Sequence, residues 1–104
     1  MFLVPATSSG RKTDDAQITT MSSQLCGIDV IAPLTGQGNL IIYDSENSDI
    51  TDKLIVSELH VDAGFPTLNH EYIRSVVCNR GIYCVMTEST PGSSMSYIVR
   101  FSLG

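Results

Sequence analysis

Positive charge is scarce in this chain. Six Lys and Arg stand against eleven Asp and Glu, for a formal net charge of −5. Affinity for nucleic-acid phosphates comes mainly from basic side chains that release counterions, so this balance argues against a DNA or RNA groove. The one adjacent basic pair, Arg11-Lys12, is followed almost at once by Asp14-Asp15. Long apolar runs are also missing. None approaches the ~20 residues needed to cross a bilayer, so no membrane role is expected. The opening Met1–Pro5 (MFLVP) is apolar but has no basic leader and no extended apolar stretch, which does not fit a secretion signal. The expectation is a chain made or assembled in a cytoplasm.

Cysteine and histidine are equally sparse. Cys26, Cys78 and Cys84 form no C-x-x-C, and His60 and His70 are the only histidines. A zinc site wants about four N/S ligands at tight local spacing, so no metal and no cofactor are expected. The thiols read as buried, reduced small hydrophobes, with a Cys78–Cys84 bridge as the alternative. Asp44, Glu46, Asp49 and Asp52 gather oxygens in one loop, but the central Gly and terminal Glu of a calcium loop are absent. A solvated acidic loop is the simpler reading. No nucleophile elbow accompanies the histidines. Asp62 lies two residues from His60, on the same face of a strand, where an ion pair explains both. Gly36-Gln37-Gly38 precedes a strand instead of opening a helix, so it is a turn and not a phosphate loop. The chain is therefore expected not to be an enzyme.

What is present is a succession of short apolar segments. The 104 residues allow one domain, and 42% hydrophobic with 16% charged residues is the wrong balance for disorder. Residues 1–16 are polar after the first five and carry no period that buries a face, so they read as an extended N-terminal arm; residues 17–104 read as the folded domain. Strands are expected over Ile18–Met21, Leu25–Ile31, Asn39–Tyr43, Lys53–Val61, His70–Cys78, Ile82–Thr87 and Met95–Phe101, separated by Gly, Pro, Asn and Asp clusters. In the second, Cys26, Ile28 and Val30 alternate with Gly27 and Asp29. Asn39–Tyr43 (NLIIY) lacks alternation and suits a strand covered on both faces. In the last, Met95, Tyr97, Val99 and Phe101 share one face. No helix is evident. The fold class is all-β: a small antiparallel β-sandwich, jelly-roll-like, with an extended N-terminal arm.

Surface residues carry the functional expectation. Tyr43, Tyr72, Tyr83 and Tyr97 are interface-forming types, although sheet packing explains them as well. The arm tip Phe2, Leu3, Val4 and Pro5 has no place in the strand series. Its apolar side chains must meet this domain or another chain, and these four are the candidate partner-binding residues.

Gly38-Asn39-Leu40-Ile41-Ile42-Tyr43-Asp44, Leu54-Ile55-Val56, Arg80-Gly81-Ile82-Tyr83-Cys84-Val85 and Ser96-Tyr97-Ile98-Val99 follow one another across residues 25–102. In this order they resemble a group of small β-sandwich virion structural proteins of tailed phages. The resemblance implies a particle component, most directly a capsid decoration or cement subunit that binds major capsid or other virion proteins. It would be present as a homo-oligomer or in multiple copies, and located in the virion after assembly in the host cytoplasm. A neck or tail accessory is a variant of this reading. The alternative of another class is a carbohydrate- or receptor-binding sandwich, which exposed aromatics grouped on one face would favour. Removal of residues 1–16 is expected to leave the sandwich folded and to abolish particle binding.

Overall fold

The computed structural model describes residues 6–64 and 67–103. They form eight strands: β1 (Thr7–Ser8), β2 (Ala16–Thr19), β3 (Ser23–Ile31), β4 (Gln37–Asp44), β5 (Leu54–Asp62), β6 (Thr67–Cys78), β7 (Ile82–Glu88) and β8 (Ser96–Leu103). Two antiparallel four-stranded sheets result, in the orders β1-β8-β3-β6 and β2-β7-β4-β5. The pairs β4·β5, β3·β6, β2·β7 and β1·β8 are all antiparallel ladders. The chain is thus one long two-stranded ribbon, doubled at the β4–β5 loop and rolled over. The seams β3·β8 and β4·β7 close the roll. This is the strand order of an eight-stranded jelly roll, in agreement with the fold class expected from sequence.

Burial follows the two-residue period of strands, with one face of each sheet turned inward. Met95, Tyr97, Val99 and Phe101 all lie in the core, as the alternation requires. Two expectations are corrected. NLIIY is not covered on both faces: Leu40 and Ile42 are fully buried, whereas Asn39 is exposed and Ile41 and Tyr43 are half-buried. Apolar residues on the outer face conceal the alternation in the sequence. In β3 the inward set is Leu25, Ile28 and Val30, and Cys26 is only half-buried. Between Leu25 and Gly27 the strand advances two residues while β8 advances one, from Phe101 to Arg100. That bulge inserts Cys26 and reverses the facing of everything after it. Gly27 then lies beneath the Arg100 guanidinium, where a Cβ would come within 2.6 Å of Nη2. Arg100 crosses the outer face here to Asp29, at 3.4 Å, and to Glu71.

The segment read as an arm is held by its own sandwich from Thr7 onward. Thr7 and Ser8 pair with Phe101 and Arg100, and Lys12 exchanges two backbone hydrogen bonds with Tyr97, of 2.8 and 2.9 Å. The buried Tyr97 hydroxyl donates to the Asp14 carbonyl at 2.7 Å, and the Asp15 carboxylate accepts the Met86 N–H at 2.9 Å. The chain thereby crosses from the β8 edge of one sheet to the β7 edge of the other. Ala16 and Gln17 continue the crossing as β2. One side of the sandwich is closed in this way, while β5 and β6 remain edge strands on the other.

Asp44 ties one end of the roll together. Its buried carboxylate accepts the N–H groups of Asn79, Arg80 and Gly81 at 3.0, 2.8 and 3.3 Å. These amides turn the chain between β6 and β7 and would otherwise lack partners. Gly81 has φ of +151°, and a Cβ there would sit 2.5 Å from the Thr19 carbonyl oxygen. Replacement of Asp44 by Ala strands three donors and is expected to lower stability by about 2–3 kcal/mol. Asp49→Ala in the same loop should leave the urea midpoint unchanged, which chemical denaturation of the two variants checks.

Candidate functional site

The arm-tip residues Phe2, Leu3, Val4 and Pro5 lie outside the described residues. The described chain begins at Ala6, beside the end of the sandwich where β8 runs out through Phe101 to Leu103. That end carries most of the large exposed apolar side chains. Met21, Leu54, Ile55, Val77 and Leu103 are 58%, 66%, 46%, 55% and 51% exposed. Ladder register gathers them: Ser23 pairs with both Cys78 and Leu103, and Leu54 lies opposite Asp44, whose carboxylate holds Asn79 just beyond Val77 and Cys78. No sequence motif marks this set. The unalternating run Leu54-Ile55-Val56 is the one local signal, and it reads equally well as a buried strand.

The acidic loop divides its carboxylates among structural tasks. Asp44 clamps the β6–β7 turn, Glu46 lies 3.6 Å from the Lys53 ammonium, and Asp49 accepts the Thr51 N–H at 3.1 Å. Among the described residues, no three His, Cys, Asp or Glu side chains come together in a form that could hold a metal ion. His60 is held on both sides, with Nδ1 2.9 Å from Asn39 Oδ1 and Nε2 2.9 Å from Asp62 Oδ1. The ion-pair partner read from sequence is therefore in place. In a neutral ring that donates Nε2–H to Asp62, Nδ1 is an acceptor and takes an amide hydrogen from Asn39 with that amide turned over. His70 packs edge-on against Tyr72, with centroids 4.7 Å apart at 73°. Among the described residues, neither histidine hydrogen-bonds to a Ser, Thr or Cys, the contact that activates a nucleophile.

The four tyrosines separate into two pairs. Tyr97 and Tyr72 belong to the interior or its margin, and burial pushes the Tyr97 phenol well above its ordinary range. Tyr43 and Tyr83 are register partners on β4 and β7, both half-buried on the outer face of the second sheet. Along that face the next pair is Ile41 with Val85, and the next Asn39 with Thr87; β5 adds Glu58 opposite Ile41 and His60 opposite Asn39. The polar end of this row encloses a shallow depression of about 310 Å³ lined by Asn39, Ile41, Glu58, Leu59, His60 and Thr87. The outer face of the first sheet is different in kind. There Arg100 bridges Asp29 and Glu71, Asn69 donates to Asp29, and Ser75 donates to Gln24.

All three thiols are free. Burial pushes Cys78 up to about 11, with Asp44 adding to it, and Cys84 up to about 12, with Cys78 and Asp15 adding to it. Since the thiolate is the reactive form, a disulfide-exchange reagent at pH 8 should label Cys26 in the native protein and reach the other two only on unfolding. Both raised thiols ionise less readily in the fold than in the open chain, whose ordinary value is 9.0. Their contribution to stability is complete below that value and is lost as pH rises toward about 11–12. Melting temperature should therefore fall above pH 9, and less steeply in Cys84→Ala once its lower starting stability is subtracted.

No protein-family model, curated protein or solved structure matches this chain.

Proposed function

We propose that the protein is a non-catalytic virion structural subunit, of the capsid decoration or cement kind, that binds neighbouring shell proteins through the apolar end of its sandwich. The observation that carries this reading is the grouping of Met21, Leu54, Ile55, Val77 and Leu103 at one end, each about half exposed or more. Large exposed apolar side chains gathered at one end mark a place where another surface fits. Phe2–Pro5, which precede the described chain in the sequence, are of the same apolar chemistry.

Three further points support it. The resemblance across residues 25–102 implies a particle component. The jelly roll recurs in capsid and lectin domains, although architecture alone carries no function. Three carboxylates are occupied by turns and edges: Asp44 at the β6–β7 turn, Asp15 on Met86, Glu46 beside Lys53. A small end surface gives modest affinity at each contact, and multiple copies on one particle multiply it. The exposed edges of β5 and β6 offer unpaired backbone along the adjoining side, where a neighbour's strand could add.

Co-sedimentation with capsid shells tests the reading. The double variant Leu54→Asp/Val77→Asp should bind at least about tenfold more weakly, since it charges surface that must become dry. Leu34→Asp, at a 78% exposed position in the β3–β4 loop at the opposite end, should bind as the parent does. Unchanged binding by the double variant, with melting temperature retained, would overturn the proposal. Removal of residues 1–5 should weaken binding without loss of fold. Removal of 1–16 should also lower the melting temperature, because it deletes β1 and the Lys12, Asp14 and Asp15 contacts.

A further inference from the structure

The outer face of the β2-β7-β4-β5 sheet carries a second surface, remote in chemistry from the apolar end. We infer that it is a binding site for a neutral glycan, with a sugar ring seated in the Asn39–His60–Thr87 depression and the adjoining chain lying over Tyr43 and Tyr83.

The depression holds about 310 Å³, at the small end of the range for small-molecule sites, about 300–1,000 Å³. Its lining sets the apolar Ile41 side chain among the polar Asn39, Glu58, His60 and Thr87, while Leu59, opposite the buried Leu40, contributes from a strand position whose side chain packs toward the core. That mixture suits a molecule with an apolar face and a polar rim, which is the character of a pyranose ring. The polar groups are also pre-oriented. His60 is fixed by Asn39 on one nitrogen and Asp62 on the other, so the Asn39 amide and the Asp62 carboxylate are held in place with capacity to spare for vicinal hydroxyls. Groups already held in position lose little freedom on binding.

Charge selects the class of sugar. No Lys or Arg lines the depression, whereas Glu58 lines it and Asp62 borders it through His60. A phosphorylated, sulfated or sialylated glycan would meet repulsion there without a compensating cation. A neutral polyhydroxyl compound meets acceptors and donors in the proportion it needs.

The tyrosines extend the site. Tyr43, Ile41 and Asn39 follow one another at two-residue steps on β4, with Tyr83, Val85 and Thr87 opposite them on β7. Two such steps span about 13 Å, a length that suits more than one sugar unit. Aromatic faces carry negative potential, which attracts the polarised C–H groups of a sugar's apolar face. Aromatic and polar groups in one row therefore match a chain whose first ring is hydrogen-bonded and whose next is stacked.

The test uses the whole protein on an array of neutral oligosaccharides (glucose, galactose, N-acetylglucosamine and mannose oligomers), followed by calorimetry and amide chemical-shift mapping with any that bind. A neutral oligosaccharide should bind and shift amides of β4, β5 and β7. Asn39→Ala and Tyr43→Ala should each weaken it by about tenfold, with melting temperatures showing that both variants fold. Leu54→Asp/Val77→Asp should bind sugar normally, which separates this inference from the assembly reading. Failure of every neutral sugar on the array and in solution would overturn it. So would sugar binding that both variants leave intact. Loss of capsid-shell binding in Asn39→Ala and Tyr43→Ala, with no sugar bound, would make this face a protein interface and equally overturn it.

Discussion

Two four-stranded sheets, each able to bury a single face, impose the main constraint on this molecule. The ribbon of β4·β5, β3·β6, β2·β7 and β1·β8 must be rolled so that Leu25, Ile28, Val30, Leu40, Ile42, Ile82, Tyr97 and Val99 meet in one layer. Side chains alternate along each strand, so burial of one set necessarily presents the other to solvent. The two outer faces are by-products of the same geometry, and their different chemistry is where function can be written. One carries ion pairs and hydrogen bonds centred on Arg100 and Asp29. The other is a row that runs from tyrosines to the Asn39–His60 pair.

Rolling a ribbon also leaves edges and ends, which the polar residues manage. The segment from Thr7 to Thr19 closes one side by joining the β8 edge and then the β7 edge, and Tyr97 and Asp15 secure the crossing through Asp14 and Met86. Gln17 extends this at the end of the roll, its amide donating toward the carbonyls of Thr19, Ser45 and Ile82. Asp44 completes the end by satisfying three consecutive amides. Charged and amide groups thus act where backbone hydrogen bonding would be left incomplete, and this accounts for much of the chain's limited polar inventory. The open β5 and β6 edges and the apolar end beside them are the places without such management.

These two kinds of surface bear on function differently. An apolar end with exposed Leu54 and Val77 is suited to permanent burial against a neighbour, since its contribution scales with the area removed from water. The row on the second sheet is suited to reversible recognition, where pre-held polar groups define orientation and a shallow floor limits affinity. The two surfaces adjoin where Ile55 lies opposite Tyr43, and the Asn39–His60 end of the row is the part farthest from the apolar end.

Strand class, the positions of seven of the eight strands to within a few residues and the inward face of Met95–Phe101 were legible in the chain, because they depend on residue type and a two-residue period over short distances; β1 was read as part of an arm. What only the tertiary structure decided involves partners far apart in sequence. Asp44 finds its role at Arg80, and Tyr97 meets Asp14 across 83 residues. The bulge at Cys26 shows only against the register of β8, and the apolar outer face of β4 hides an alternation that burial reveals. Tyr43 and Tyr83 become neighbours through ladder register, and Leu54 and Val77 are brought to one end through the Asp44 clamp. Register is a relation between strands, set by how the whole ribbon rolls. The six basic residues with which the chain was first characterised show both sides of this. Their scarcity alone argues against nucleic acid, while the position of Arg100 over Gly27, away from the depression, is what makes the second face suit a neutral ligand.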